Sequence, residues 1–419
     1  MSKNRWARLA YQLGLIVLFT LILIELAARL FWWNQPVMTV YDRELFLIPL
    51  PLLSQKQREI LRNWQNTPDS YLQFDSVLGW SIRPEVQADQ EGITYTSNQI
   101  GLRSLREYSL EKEPGRTRIV TMGASFTHGD EAPDQGTWQA QLEQTRPDLE
   151  VMNWGVGGYG TDQALLRYET QAAAYQPDIV IIGFEENNIW RNVNRFRPFQ
   201  HHSSGIPLTK PVFVLEQGRL NLVANPFTDF ETLQDTLLNQ PNRFLEMVCP
   251  HDYFCDQAKY QQKPLDVLAS FRFFRTLAYE VRTPLPATRA IVQTNLSSTD
   301  WRLNEVEQTN WLLVQMFVES VIRHNATPII LAFPERFSIE AMETGQQTFY
   351  QQSVTFLEQQ GVSVIELTVP FVDHKLTNGL EYTDYYAPDG GHFNALGNAI
   401  VSQAVLRHLC QQGFLQNCS

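Results

Sequence analysis

The chain predicts an α/β fold of three layers, with helices covering both faces of a mainly parallel sheet of five strands. Three observations predict it. Short β-branched runs recur from Arg118 onward, apolar-periodic helical segments lie between them, and each of the first three runs ends in a turn that carries glycine. Strands alternating with helices imply βαβ crossovers, and runs that are apolar on both sides imply a sheet buried on both faces. At 419 residues with 43% hydrophobic content, the chain can bury at least one large core.

Taken in order, the first forty residues stand apart. Residues 1–8 form a basic tail holding Lys3, Arg5 and Arg8, and residues 9–32 are almost wholly apolar. About twenty helical residues cross a hydrocarbon core of about 30 Å. Phe31, Trp32 and Trp33 supply an aromatic belt at the exit, and the basic tail keeps the N-terminus on the cytoplasmic side. Glu25 and Arg29 interrupt the run one turn apart, a spacing that allows them to pair, with Arg29 reaching outward. A cleaved signal peptide is the rival reading. The length of the run and its Arg-Leu-Phe-Trp-Trp flank favour an uncleaved single-pass anchor with the rest of the chain periplasmic or extracellular.

Cysteine usage agrees with a non-cytosolic compartment. The four cysteines fall in two close pairs, Cys249 with Cys255 and Cys410 with Cys418, which an oxidising environment readily closes as disulfides. His201-His202 is a lone doublet in a polar loop, so the reading assigns no metal and no cofactor. The net charge of −12 and the absence of a basic stripe argue against nucleic acid as a partner.

Residues 33–115 read as an irregular extension marked by Gly79-Trp80 and Asn98-Gln99-Ile100-Gly101-Leu102-Arg103. Residues 116–419 then carry the strands, predicted at 118–122, 150–153, 178–182, 327–331 and 363–367. Helical stripes run through 308–323 and 394–409 as core faces. Between the third and fourth strands, 191–300 is too long for one crossover and reads as an insertion. It holds a hairpin turning near Gln217-Gly218 and an aromatic helix over 271–281. In open α/β folds such an insertion lies near the carboxyl ends of the strands, as a wall or lid over a ligand crevice or as a further packing layer.

The strand ends carry the chemistry. Gly123-Ala124-Ser125 follows the first strand, offering a serine hydroxyl that needs a base to become a nucleophile. Asp389 and His392, three positions apart before the last helix, supply a carboxylate and an imidazole for a charge-relay arrangement. The turn from Asn153 to Gly160 can aim backbone N–H groups into the crevice, and Glu185-Glu186-Asn187-Asn188 offers side-chain amides. Each block alone is weak: a turn glycine, a capping asparagine or a surface aspartate looks the same. Four blocks at successive strand ends, in this order, are a poor fit to chance.

These four blocks resemble the SGNH hydrolases, the GDSL-like lipase/acylhydrolase superfamily. The resemblance spans about residue 116 to the C-terminus, apart from the insertion. It implies a flavodoxin-like sheet and a covalent acyl-serine mechanism. Ser125 would be the nucleophile and, through its backbone N–H, one oxyanion donor; Gly158 and Asn187 would be the others. His392 would be the base and Asp389 its orienting carboxylate. Ala124 stands where the family has aspartate, and the choice of Asn187 over Asn188 rests on position alone. The Glu185-Glu186 pair reads as a solvated loop end. The implied activity is ester hydrolysis outside the cytoplasm, with O-acyl groups of an envelope glycan as candidate substrate. O-acyl transfer by the same residues, or an inactive glycan-binding module, are the alternatives.

Overall fold

The computed structural model describes residues 3–32, 37–40, 43–64, 70–90, 92–282, 305–345, 349–388, 391–416 and 418. Trp33, Asp389 and the last part of the 191–300 insertion lie outside the described residues. The chain divides into two compact units.

The larger unit comprises Gln55–Gln234, His251–Phe254 and Leu296–Ser419. Its centre is a five-stranded sheet of β1 (Thr117–Met122), β2 (Leu149–Asn153), β3 (Ile179–Phe184), β4 (Thr327–Ala332) and β5 (Val364–Glu366). The strand order is β2-β1-β3-β4-β5 and every pairing is parallel. All five residues of β2 and all six of β3 are buried, which is why these strands read as continuous apolar runs without alternation. On one face Ile119, Val151, Ile181 and Leu331 pack with Trp138 and Leu142 and with Ile400, Val401, Val405 and Leu409 of the last helix. The helices Thr161–Thr170 and Glu305–Arg323 also join, through Tyr168 packed against Phe317 at a tilt of 41°. The result is a flavodoxin-like fold of three layers, as the sequence predicts. In such a sheet the crossovers leave in opposite directions on either side of β1 and β3. That opens a crevice at their carboxyl ends.

The segment before the sheet is more ordered than its composition suggests. Leu72–Asp75 pairs with Gly79–Ile82, and Gln87–Gln90 pairs with Ile93–Thr96, as two antiparallel hairpins. Four-residue strands rich in Gln and Asp carry too little alternation to be read as strands. The insertion hairpin is as expected: Val212–Glu216 pairs with Arg219–Val223, and Gln217 and Gly218 both have positive φ, the geometry of a tight primed turn.

The second unit comprises Met1–Ser54, Asp235–Pro250 and Cys255–Asn295. The helix Lys3–Trp32 contains Arg5–Leu30, a stretch long and apolar enough to cross a membrane, with mean hydropathy 2.3. Glu25 and Arg29 pair at 2.7 Å, as their spacing predicts. Glu25 does more than neutralise Arg29. It accepts the backbone N–H groups of Ala269 (3.0 Å) and Ser270 (2.9 Å), capping the aromatic helix Ala269–Arg282. Cys249–Cys255 is a disulfide in this unit, and Cys410–Cys418 is one in the larger unit.

Candidate active site

The carboxyl end of β1 runs through Gly123 and Ala124 into a one-turn helix, Ser125–His128. A Cβ at Gly123 would stand 2.2 Å from Thr127 Oγ1, so only glycine lets the turn fold back this tightly. Ser125 is thereby held at the mouth of the crevice. Among the described residues neither its hydroxyl nor its backbone N–H has a hydrogen-bond partner, which leaves both for a substrate.

A cleft of about 950 Å³ opens here and is lined by Ser125, Gly158, Asn187 and His392. A smaller recess of about 460 Å³ shares Ser125, Asn187 and His392 and is lined also by Phe337 and Tyr386. Four of the five positions singled out from the sequence are therefore brought to one place. The fifth, Asp389, lies outside the described residues.

The carboxylate that meets the imidazole in this structure is Glu131. Its Oε1 lies 2.9 Å from His392 Nδ1, and its Oε2 accepts the His392 backbone N–H at 3.3 Å. A carboxylate only accepts, so Nδ1 carries the proton, and in the neutral ring Nε2 then keeps its lone pair, the tautomer a general base requires. The Phe126 ring packs on the imidazole with centroids 5.0 Å apart. Glu131 has φ of 66°, a left-handed conformation costing a non-glycine residue about 1–3 kcal/mol. Strain of that kind concentrates at working sites.

Electrostatics around His392 favour its charged form. Burial opposes the charge, but the Glu131 hydrogen bond and the charges of Asp130, Glu131 and Glu185 outweigh burial and raise its pKa above the ordinary 6.5. A base must be neutral to act. The rate of any reaction that uses His392 as its base is therefore expected to fall as pH drops through a value above 6.5. Glu131→Gln removes an anion that favours imidazolium, so the acid limb of the pH–rate profile moves to lower pH. An unmoved limb in that variant would separate Glu131 from the titration.

A second hydrogen-bonded chain lies beside the first. His128 Nδ1 bonds Asp130 Oδ1, and its Nε2 meets the Tyr71 hydroxyl at 2.8 Å. Burial lowers the His128 pKa, with Asp130 opposing. A neutral ring donating to Asp130 must accept from Tyr71, so both nitrogens are engaged and His128 is not a free base. The chain holds Asp130 where its charge acts on His392.

The two asparagines separate cleanly. Asn188 is buried; its Oδ1 accepts the Glu185 N–H at 2.7 Å and its Nδ2 donates to Tyr159 O at 3.3 Å. Asn187 lines the cleft, donating one amide hydrogen to Glu335 Oε1 at 2.7 Å and keeping the other. Gly158 has φ of 80°, and its N–H has no acceptor among the described residues. Glu185 departs from the sequence reading of a solvated pair. It is buried, forms an ion pair with Arg191 at 3.1 Å, and accepts the Phe126 N–H at 3.3 Å. The Arg191 charge at this position compensates the carboxylate and allows it inside. Glu186 is also shielded, and burial followed by the Glu335 charge pushes its carboxyl up to about 7.

The extension motifs brace this site. Trp80 Nε1 donates to Gly157 O at 3.1 Å, fixing the glycine loop. Arg103 donates to His128 O at 3.2 Å and pairs with Asp134 at 3.1 Å, holding the loop that carries Asp130 and Glu131. The loops that these residues hold are those of the site.

No protein-family profile matches the chain, and no curated protein is similar to it in sequence. Solved structures are similar at low identity. A catalytic mutant of Axe2, an acetylxylan esterase from Geobacillus stearothermophilus, shares 14% identity over 71% of this chain and 96% of that one, with a TM-score of 0.35. A member of the lipolytic protein G-D-S-L family from Veillonella parvula DSM 2008 shares 9% over 70% and 97%, at 0.33. A two-domain esterase active on acetylated mannans shares 10% over 73% and 51%, at 0.32. At such values the functional reading rests on the residues themselves.

Proposed function

We propose that the protein is an SGNH-type serine ester hydrolase, anchored by its N-terminal helix with the catalytic unit outside the cytoplasm. One observation carries the reading: Ser125, Gly158, Asn187 and a His392 oriented by a carboxylate line one cleft at the crevice of the sheet. Ser125 Oγ attacks the ester carbonyl while His392 Nε2 takes its proton. The N–H groups of Ser125 and Gly158 and the Asn187 amide hold the oxyanion. His392 then protonates the leaving alcohol, and water activated by the same imidazole releases the acid. Glu131 holds the ring, and Asp389, whose spacing to His392 singled it out, is the second candidate for that role. Ser125 stands where a large cleft and a smaller recess meet, the recess lined in part by Phe126, Phe337 and Tyr386. That suits a bulky alcohol portion such as a glycan on one side and a short acyl group on the other. The apolar helix and the two disulfides support the location.

Treating the full chain in detergent with a fluorophosphonate, followed by peptide mapping, tests the mechanism. A pH-dependent adduct on Ser125 is expected, and no adduct on folded protein would sink the acyl-serine reading. Acetylated oligosaccharide with and without excess acceptor sugar then separates release of acid from transfer to a hydroxyl. Acid as the sole product supports the hydrolase, and acylated acceptor replaces it with the transferase.

A further inference from the structure

The insertion contributes to the cleft one charged group that ester hydrolysis leaves unused. Arg197 opens the short helix Arg197–Gln200 and lines the cleft that holds Ser125 and His392. A Cβ built on Gly158 would stand 3.8 Å from Arg197 Nε, so the guanidinium adjoins the glycine assigned to the oxyanion. Its Nη1 donates to the neutral Gln200 Oε1 at 2.6 Å, and among the described residues no carboxylate reaches ion-pair distance. The neighbouring arginines differ: Arg191 has Glu185 at 3.1 Å and Arg103 has Asp134 at 3.1 Å.

The charge is also poorly hydrated. Burial first, then Arg191, draws the Arg197 pKa down to about 9, with only Glu185 opposing, so the group stays cationic at neutral pH. His201, one turn on, lines the same cleft and is held below its ordinary pKa by burial and then by Arg197 and Arg191. Lys56 lines it too. Glu59 and Asp89, carboxylates of the same cleft, accept hydrogen bonds from Gln55 and Gly92. A shielded guanidinium with no counter-ion is costly for the protein alone and is relieved by an anion from outside. Its planar fork matches a carboxylate or phosphate through paired N–H donors.

We propose that Arg197 anchors an anion subsite, so that the ester acted on carries a carboxylate or phosphate on its alcohol portion, as in an acylated uronate or an acylated sugar phosphate. The proposal rests on the ester-hydrolase reading for the position of the acyl group, but the subsite is measurable without it.

Two measurements on the full chain in detergent test the subsite. The first is calorimetric binding to Ser125→Ala protein, with trigalacturonate against neutral trigalactose and glucose 6-phosphate against glucose. At least one anionic probe is expected to bind roughly tenfold or more tighter than its neutral counterpart, with salt weakening the preference. Arg197→Gln on that background removes the preference and Arg197→Lys retains part of it. Which pair shows the larger gap identifies carboxylate or phosphate. The second is the ratio of kcat/KM for acetylated methyl glucuronoside to that for acetylated methyl glucoside, expected to fall roughly 10- to 100-fold in Arg197→Gln. Equal binding of anionic and neutral probes overturns the proposal, as does an equal loss on both esters, which would place Arg197 on the oxyanion or in the fold. Arg197-dependent anion binding without hydrolysis of any ester keeps the subsite and removes the ester reading. Hydrolysis without anionic preference does the reverse.

Discussion

Replacing His392 with alanine is expected to lower kcat/KM toward a short-chain aryl ester by on the order of 10⁶ and to abolish fluorophosphonate labelling of Ser125. A serine hydroxyl is almost wholly protonated at neutral pH, so attack depends on a base that removes its proton as the bond forms. Of the two imidazoles beside Ser125, His392 is the one whose Nε2 has no partner among the described residues. His128, the other histidine beside Ser125, has Nδ1 on Asp130 and Nε2 on Tyr71. Labelling that survives His392→Ala within about tenfold would refute this assignment. The carboxylate behind the base is resolved by a companion pair, Glu131→Gln and Asp389→Asn. The residue that holds Nδ1 should cost about 10⁴ in turnover, because the wrong tautomer directs a proton at Ser125 instead of a lone pair. The 2.9 Å contact favours Glu131 for the larger loss. A loss confined to Asp389→Asn would mean that the imidazole changes partner once substrate is bound.

The sheet, its helical cover and the insertion hairpin were legible because each depends on local pattern: β-branched runs, helical stripes, and Gln217-Gly218 between two apolar segments. That the blocks at the strand ends meet in one cleft was legible because turns at the carboxyl ends of neighbouring parallel strands share one edge of the sheet. What pattern does not carry is a partner chosen across the fold. Glu131 sits in an acidic loop, Asp130 to Asp134, with no local pattern to single it out, and its place against His392 depends on a contact 261 residues away. Glu185 misled for the same reason. Its ion partner Arg191 is six residues on, but the burial that makes the pair matter comes from the packing of the crevice. Arg197 carried no signal at all, since an arginine without a counter-ion is recognisable only when its surroundings are known. Trp80 and Arg103 stood out in the sequence, yet the backbone atoms they hold lie on other turns.

Asn187→Ala is expected to reduce kcat by about 10²- to 10³-fold while leaving the melting temperature unchanged, the loss that follows when one oxyanion donor is removed. The side chain is exposed, and among the described residues its hydrogen bond goes to Glu335 alone, so the fold does not depend on it. Glu335 shapes the effect. By taking one amide hydrogen it fixes the plane of the carboxamide, leaving the second hydrogen fixed in direction rather than rotating, and preorganised donors are the ones that stabilise a developing charge. Burial, then the Glu185 charge, raise the Glu335 pKa, which makes its negative charge easier to remove beside an oxyanion. Asn188→Ala provides the contrast. It deletes buried hydrogen bonds to Glu185 N and Tyr159 O, and leaving those groups unmet is expected to destabilise the unit by about 1–3 kcal/mol. Thermal melts and steady-state kinetics on the two variants therefore separate the roles: activity lost at full stability for Asn187, stability lost for Asn188. If Asn187→Ala stays within about tenfold of the parent in kcat, the third donor lies elsewhere, and Arg197 beside Gly158 becomes the next group to examine.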